Sequence, residues 1–290
     1  AAWAVFAPVW MLLVFAPVFK WVYGGWLGVR GSLDFAGGTA IHVNAGIAAL
    51  VAVLILGKRK GWPTEGHPPH SMPLVMIGTG ILWFGWFGFN AGSSLAADGT
   101  AVQAFMNTFL AAAAAGLAWA VVERIKDGHF TNLGAASGIV AGLVAITPAA
   151  GYVSSMSSIF IGLAAGVICC FAVQIKFKAG YDDALDVVGV HFVGGLVGSL
   201  MIGLFADAEY FGAEHMSGLF YGGGAKLLAE QAIANGVTIV YSGVVTALIL
   251  LAIKATIGLR VSEETEAAGL DNAEHAESAY NFGEVTMGRA

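Results

Sequence analysis

Charge is what this chain has least of. Of its 290 residues, 11% are Asp, Glu, Lys or Arg, against roughly a quarter in a soluble domain. That deficit argues against an ordinary water-soluble enzyme or binding module. Cysteine is nearly absent. Cys169 and Cys170 are adjacent inside an apolar run, which excludes a disulfide framework and a cysteine-based metal site. Basic tracts are missing too. The net charge is -6, and acidic residues gather near the C-terminus at Glu263, Glu264, Glu266, Asp271, Glu274, Glu277 and Glu284. A nucleic-acid-binding surface needs the opposite sign. The chain opens at Ala1 on a Trp-rich apolar stretch, with no Met and no basic flank. That is not the pattern of a signal peptide, and the chain is expected to begin inside a longer protein.

What is present is hydrophobicity: 58% of residues and a mean hydropathy of +0.78. A membrane span takes about 20 mostly apolar residues. Eight are expected, at 2–23, 38–57, 73–94, 101–123, 132–150, 156–176, 185–206 and 232–258. The Gly/Ala-rich 132–150 segment contains Pro148 and has the weakest pattern. The fold class is therefore an all-α polytopic membrane helix bundle, with a transmembrane domain at 1–258 and a polar tail at 259–290. Alternate loops differ in charge. One set holds Lys58, Arg59, Lys60, Arg124, Lys126, Lys176, Lys178, Lys254, Arg260 and Arg289; the other holds only Lys20, Arg30 and Lys226. The positive-inside rule places the first set, and both ends of the chain, in the cytoplasm. Small residues recur at four-residue spacing, at Gly138 and Gly142 and at Gly162 and Gly166, which lets membrane helices approach closely.

Two stretches share one pattern. Asp34 is followed by His42 and Gly46, and Asp183 by His191 and Gly195. Both read D-x7-H-x3-G at the start of a span, one entering from outside and one from the cytoplasm. Many transporters are built from such inverted repeats. If each aspartate caps its helix near an interface, each histidine lies about 12 Å deeper. Two such depths in a core of about 30 Å leave an axial gap of about 6 Å, which two imidazoles could bridge. A single histidine in a helix is ordinarily a satisfied core residue. Intramembrane ionisable groups, by contrast, usually mark a pathway. Further on, "WFGWFGFNAGSS" (83–94) closes the third span. Trp86, Phe89 and Ser93 share a helix face, joining aromatic rings that attract a cation to a hydroxyl acceptor. Tyr23 ends the first span on the same side. An interfacial aromatic belt is the competing reading and suffices for Trp83, Phe84 and Phe87.

With these stretches in view, the chain resembles the ammonium transporter (Amt/Mep/Rh) family, Amt branch. "DFAGGTAIHVNAGIAALV", "GWFGFNAGS", "DVVGVHFVGGLVG" and "GLRVSEETEAAGLD" stand in that family's order and approximate spacing. The resemblance implies an eleven-helix fold of two inverted halves, assembled as a homotrimer, of which this chain would lack the first three helices. It implies recruitment of NH4+ at an outer aromatic and hydroxyl site, deprotonation, and passage of NH3, with His42 and His191 as paired pore histidines able to carry the proton separately. By the same match Trp86 lines the path, Phe89 is one of two gate phenylalanines, and Ser93 is the recruitment hydroxyl. Asp34 is the aspartate required for transport, expected to hold backbone N–H groups of the 35–38 loop, with Asp186 a weaker candidate for that duty on the inner side. Tyr23 would stand for the mouth tryptophan, although "WVYGGW" departs from the family's "WVWGGGW". The implied setting is nitrogen uptake at the cell membrane, in contact with lipid. A PII-type signal protein would dock on the cytoplasmic face, where "HAESAY" departs from "HGESAY". No enzymatic activity, cofactor, metal or nucleic acid is implied. His67 and His70 in "GHPPHSMP" lack a third ligand for metal, His129 and His275 read as solvated, and His215 lies in an outer loop. Two alternatives remain: an ammonium sensor of the same fold, and a membrane electron carrier with haem held between the two histidines.

Overall fold

The computed structural model describes residues 1–65, 68–208, 212 and 216–278. His67, His215, Glu284 and Arg289 lie outside the described residues. Among the described residues the regular structure is all helical. Helices α1 (Ala2–Trp10) and α2 (Ala16–Val22) are joined by a π-helical turn at Met11–Phe15, and α3 (Trp26–Arg30) follows. A π-helical segment at Gly38–Val43 leads into α4 (Asn44–Leu56). Next come α5 (Met72–Ala91), α6 (Gly99–Asp127), α7 (Asn132–Ile146), α8 (Ser155–Ala172) and the short α9 (Ile175–Ala179). A second π-helical segment, Val188–Phe192, leads into α10 (Val193–Phe205), and α11 spans Lys226–Thr256. The tail carries α12 (Glu263–Ala268) and α13 (Leu270–His275).

Local chemistry sets several boundaries. Ser71, Asp98, Thr131 and Ser154 each precede a helix and accept a backbone N–H from its first turn, the usual work of an N-cap. Helix α6 ends at Gly128, whose left-handed backbone costs glycine little.

Among the described residues, seven stretches are long and apolar enough to cross a membrane: Ala2–Arg30, Gly38–Leu56, Met72–Ser94, Gly99–Asp127, Ser155–Ala179, Val188–Phe205 and Lys226–Thr256. The eighth expected span is different. Helix α7 has 15 residues, or about 22 Å at 1.5 Å per residue, short of a hydrocarbon core of about 30 Å. Its final residues Leu143, Val144, Ala145 and Ile146 are wholly buried, and buried turns replace the helix at 147–151. Pro148 has no N–H with which to continue it. Because the bundle surrounds this segment, irregular backbone at membrane depth is tolerated there.

The four-residue glycine spacing has a direct packing consequence. A Cβ on Gly142 would crowd the Ala111 carbonyl and the Ala115 side chain, and one on Gly166 would crowd the Ala115 carbonyl and the Ala118 side chain. Helices α7 and α8 therefore lie directly against the alanine stripe of α6. The tail folds back on the bundle. Arg260 donates to the carbonyls of Leu56 and Lys58 at the end of α4, and pairs with Glu266.

Candidate functional site

The two D-x7-H-x3-G stretches fold to one plan and meet. In the first, the buried Asp34 carboxylate accepts four backbone N–H groups: Gly37 and Gly38 on one oxygen (2.8 and 2.6 Å), Thr39 and Ala40 on the other (2.9 and 3.0 Å). The donors are residues 37–40, slightly later than the expected 35–38, because left-handed Gly37 (φ 114°) turns the following amides inward. Burial pushes the Asp34 carboxyl up from its ordinary range, and these four N–H groups pull against that. In the second stretch, Asp183 accepts the Val188 N–H at 2.7 Å. The inner-side duty considered for Asp186 thus falls to Asp183. Asp186 is instead the left-handed residue of that turn (φ 57°) and pairs with Lys176 at 2.5 Å. Burial raises the Asp186 carboxyl, and Lys176 opposes that rise.

Both histidines sit in the π-helical segments that follow. The glycines of the motif explain how the segments come together. A Cβ on Gly46 would meet the Phe192 backbone at 2.5 Å, and one on Gly195 would meet the His42 Cβ at 3.0 Å. Each glycine opens room for the other repeat's histidine segment. The contacts pair 42 with 195 and 46 with 192, so the two segments cross antiparallel. At the crossing the Nδ1 atoms of His42 and His191 are 3.3 Å apart. Of two facing imidazole nitrogens, one must donate and the other accept, so the rings hold opposite tautomers. Reversing the polarity of the two outer Nε2 atoms takes more than a shift of the shared proton: one Nε2 must lose its proton and the other must gain one.

His42 is buried, and its Nε2 has no protein partner. Its ring stacks on Trp86 (5.4 Å between centroids, 19°) and on Phe89 (6.0 Å, 22°), and Trp86 and Phe89 lie 5.2 Å apart. Trp86 is fixed by its Nε1–H donating to Thr147 Oγ1 at 2.9 Å. Ser93 lies one turn beyond Phe89 and donates to its carbonyl at 2.7 Å. His42, His191, Trp86, Phe89 and Ser93 therefore form one file. Tyr23 stands apart: its ring packs on Phe19 at 4.7 Å and on the cluster containing Val22, Leu27 and Ala40. Among the described residues it makes no ring contact with Trp86 or Phe89.

The site also rests on residues that the sequence pattern did not single out. Gln231 on α11 clamps the backbone of Leu33, accepting its N–H at 2.7 Å and donating to its carbonyl at 2.8 Å. Asn235 donates to Ser199 Oγ at 2.7 Å and accepts from Thr39. The last long helix thereby holds the approach to Asp34, the His42 segment and the His191 helix together. A polar stripe at 231, 235, 238, 242 and 246, all buried, was the available signal.

The 3.3 Å nitrogen separation argues against haem between the histidines. An iron with an imidazole on each side at roughly 2 Å needs about 4 Å between the nitrogens, with a porphyrin plane between the rings. Among the described residues no cluster of three or more His, Cys, Asp or Glu could hold a metal ion.

Comparison with known proteins bears on the family and the fold. The profile of the Ammonium Transporter Family matches residues 1–280. An ammonium transporter of Mycobacterium tuberculosis is 50% identical over 295 residues, covering 97% of this chain and 62% of the relative. One of Aquifex aeolicus is 52% identical over 286 residues, covering 97% and 65%. The chain thus spans a little under two thirds of these relatives. Among solved structures, Candida albicans Mep2 superposes with a TM-score of 0.83 at 39% identity, covering 90% of this chain and 60% of that one. A chain described as a sensor Amt protein superposes at 0.79 with 32% identity, covering 89% and 65%.

Proposed function

Because this chain belongs to the Ammonium Transporter Family, we propose that it moves ammonium across the cell membrane past the His42–His191 pair. The relatives named ammonium transporters support the substrate. The observation that carries the pathway is the imidazole pair, buried in a membrane bundle, with one unpartnered nitrogen against aromatic rings.

Chemistry makes this arrangement selective. NH4+ and K+ have similar sizes, but NH4+ donates directional hydrogen bonds and can release a proton. A bare ion pays heavily to enter a dry, apolar passage. Ammonium is recruited at the outer mouth by the faces of Phe89 and Trp86 and the lone pairs of Ser93, with Tyr23 at the rim. It then loses its proton, and NH3 passes the imidazoles, accepting from one Nε2–H and donating to the opposite tautomer. The proton passes separately along the histidines. The Asp34 charge favours the cation near this mouth without touching it. The gate's second phenylalanine, homotrimeric assembly and a PII-type partner at the cytoplasmic face belong to this proposal on family grounds. The division into a membrane domain at 1–258 and a cytoplasmic tail at 259–290 belongs to it as well.

The test is ammonium current in proteoliposomes made with the full native protein. His42→Ala and His191→Ala should each abolish selective ammonium current. If both still carry it with unchanged K+ exclusion, the relay is wrong. The likeness to a sensor Amt protein favours one second reading, in which ammonium binds but little crosses. Saturable binding without current in the same vesicles would establish that reading instead.

A further inference from the structure

The two histidine-bearing turns differ in the residue that takes the left-handed backbone. Three residues after Asp34 the left-handed residue is Gly37, whereas three residues after Asp183 it is Asp186. Glycine takes this conformation freely; an aspartate is among the few other residues that enter it, at a cost that its contacts can offset. At Asp186 the fixing group is Lys176, on the short helix α9. Its Nζ donates to Asp186 Oδ1 at 2.5 Å and to the Asp183 carbonyl at 2.9 Å, and its side chain is 13% exposed. Lys176 therefore grips both ends of the turn. The same turn launches the segment carrying His191: Asp183 Oδ2 accepts the Val188 N–H and the Asp186 carbonyl accepts the Val190 N–H at 2.8 Å.

We propose that Lys176 is a positioning residue for His191, its ammonium group holding Asp186 left-handed and so doing in the second repeat what a glycine does in the first. This rests on the reading of the His42–His191 pair as the pathway.

The repeat itself supplies the test, because Asp186→Gly makes the second turn like the first and should remove the need for the lysine. In the full native protein, Lys176→Met leaves a half-buried carboxylate unpaired and should cut ammonium flux per transporter at least about tenfold. Lys176→Arg should keep most of the flux. The double variant, which removes both charges together, should recover to within about threefold of the parent, whereas Asp186→Gly alone, which leaves the 13% exposed Lys176 without its carboxylate, should lose flux. Amide exchange at Val188 and Val190 reads the same turn without transport. It should rise in Lys176→Met and return in the double variant. Parental flux and exchange in Lys176→Met, or a double variant no better than Lys176→Met, would overturn the inference. Exchange that follows the expected pattern in a protein carrying no ammonium flux would sink the transport reading and leave the positioning role standing.

Discussion

Ser93 gives its only proton to the Phe89 carbonyl at 2.7 Å, so what it offers the mouth is lone pairs. A hydroxyl held this way accepts from a cation and cannot donate to an anion or to a carbonyl substrate. A hydrogen bond to a charged group contributes about 1.5–3 kcal/mol. Ser93→Ala should therefore raise the ammonium concentration at half-maximal flux by roughly tenfold or more, while Ser93→Thr, which keeps the oxygen, should not. An unchanged half-saturation in Ser93→Ala would remove Ser93 from the recruitment site. Its neighbours Trp86 and Phe89 share its helix face by their spacing of three and four, a pattern that an interfacial aromatic belt also gives. Thr147 was not legible. A threonine beside a proline reads as a helix end, and only the fold shows it accepting the Trp86 N–H.

At the scale of the helices, the spacing of D-x7-H-x3-G carries most of the architecture. The aspartate fixes where the helix starts, the histidine comes two turns later, and the glycine clears the crossing. What the spacing could not reveal is the π-helical winding of both histidine segments, which arises where the two meet. The spacing did single out Asp183 over Asp186, and the contacts with Val188 and Lys176 show what each carboxylate holds. The polar stripe marks Gln231 and Asn235 as buried, but their partners Leu33 and Thr39 lie more than 195 positions away, and no local pattern names them. The crossing makes a contrast that can be measured. A Cβ on Gly46 runs into the Phe192 backbone, whereas Gly85 on α5 has nothing within 4 Å. Overpacking costs typically 1–3 kcal/mol, and replacing an open helical glycine by alanine gains up to about 1 kcal/mol. Gly46→Ala should lower the melting temperature in detergent and reduce flux, while Gly85→Ala should leave both unchanged or slightly raised. Equal effects at the two positions would mean that the crossing is looser than these contacts require.

Over the whole molecule, contacts sort the polar loops into two ends. Arg59 pairs with Asp182 at 2.7 Å, Arg260 reaches the carbonyls of Leu56 and Lys58, and Lys176 pairs with Asp186. Residues 56–60, 176–186 and 259–266 therefore share one end. At the other, Arg30 pairs with Glu230, Gln231 clamps Leu33, and the Phe35 N–H donates to the Pro148 carbonyl. The positive-inside rule would assign the end rich in Lys and Arg to the cytoplasm; the orientation proposed on that ground has the Phe89–Ser93 mouth outside. Cys169 and Cys170 are buried, so within this chain an introduced exposed cysteine can be read against a low background, with the unsubstituted protein as the control. A membrane-impermeant maleimide added to intact cells should label Ala97→Cys, which is exposed just beyond the mouth, and spare Lys178→Cys, which is exposed at the opposite end. Opening the membrane should expose Lys178→Cys as well. The reverse pattern would invert the bundle and place the aromatic mouth in the cytoplasm, where it could not recruit ammonium for uptake.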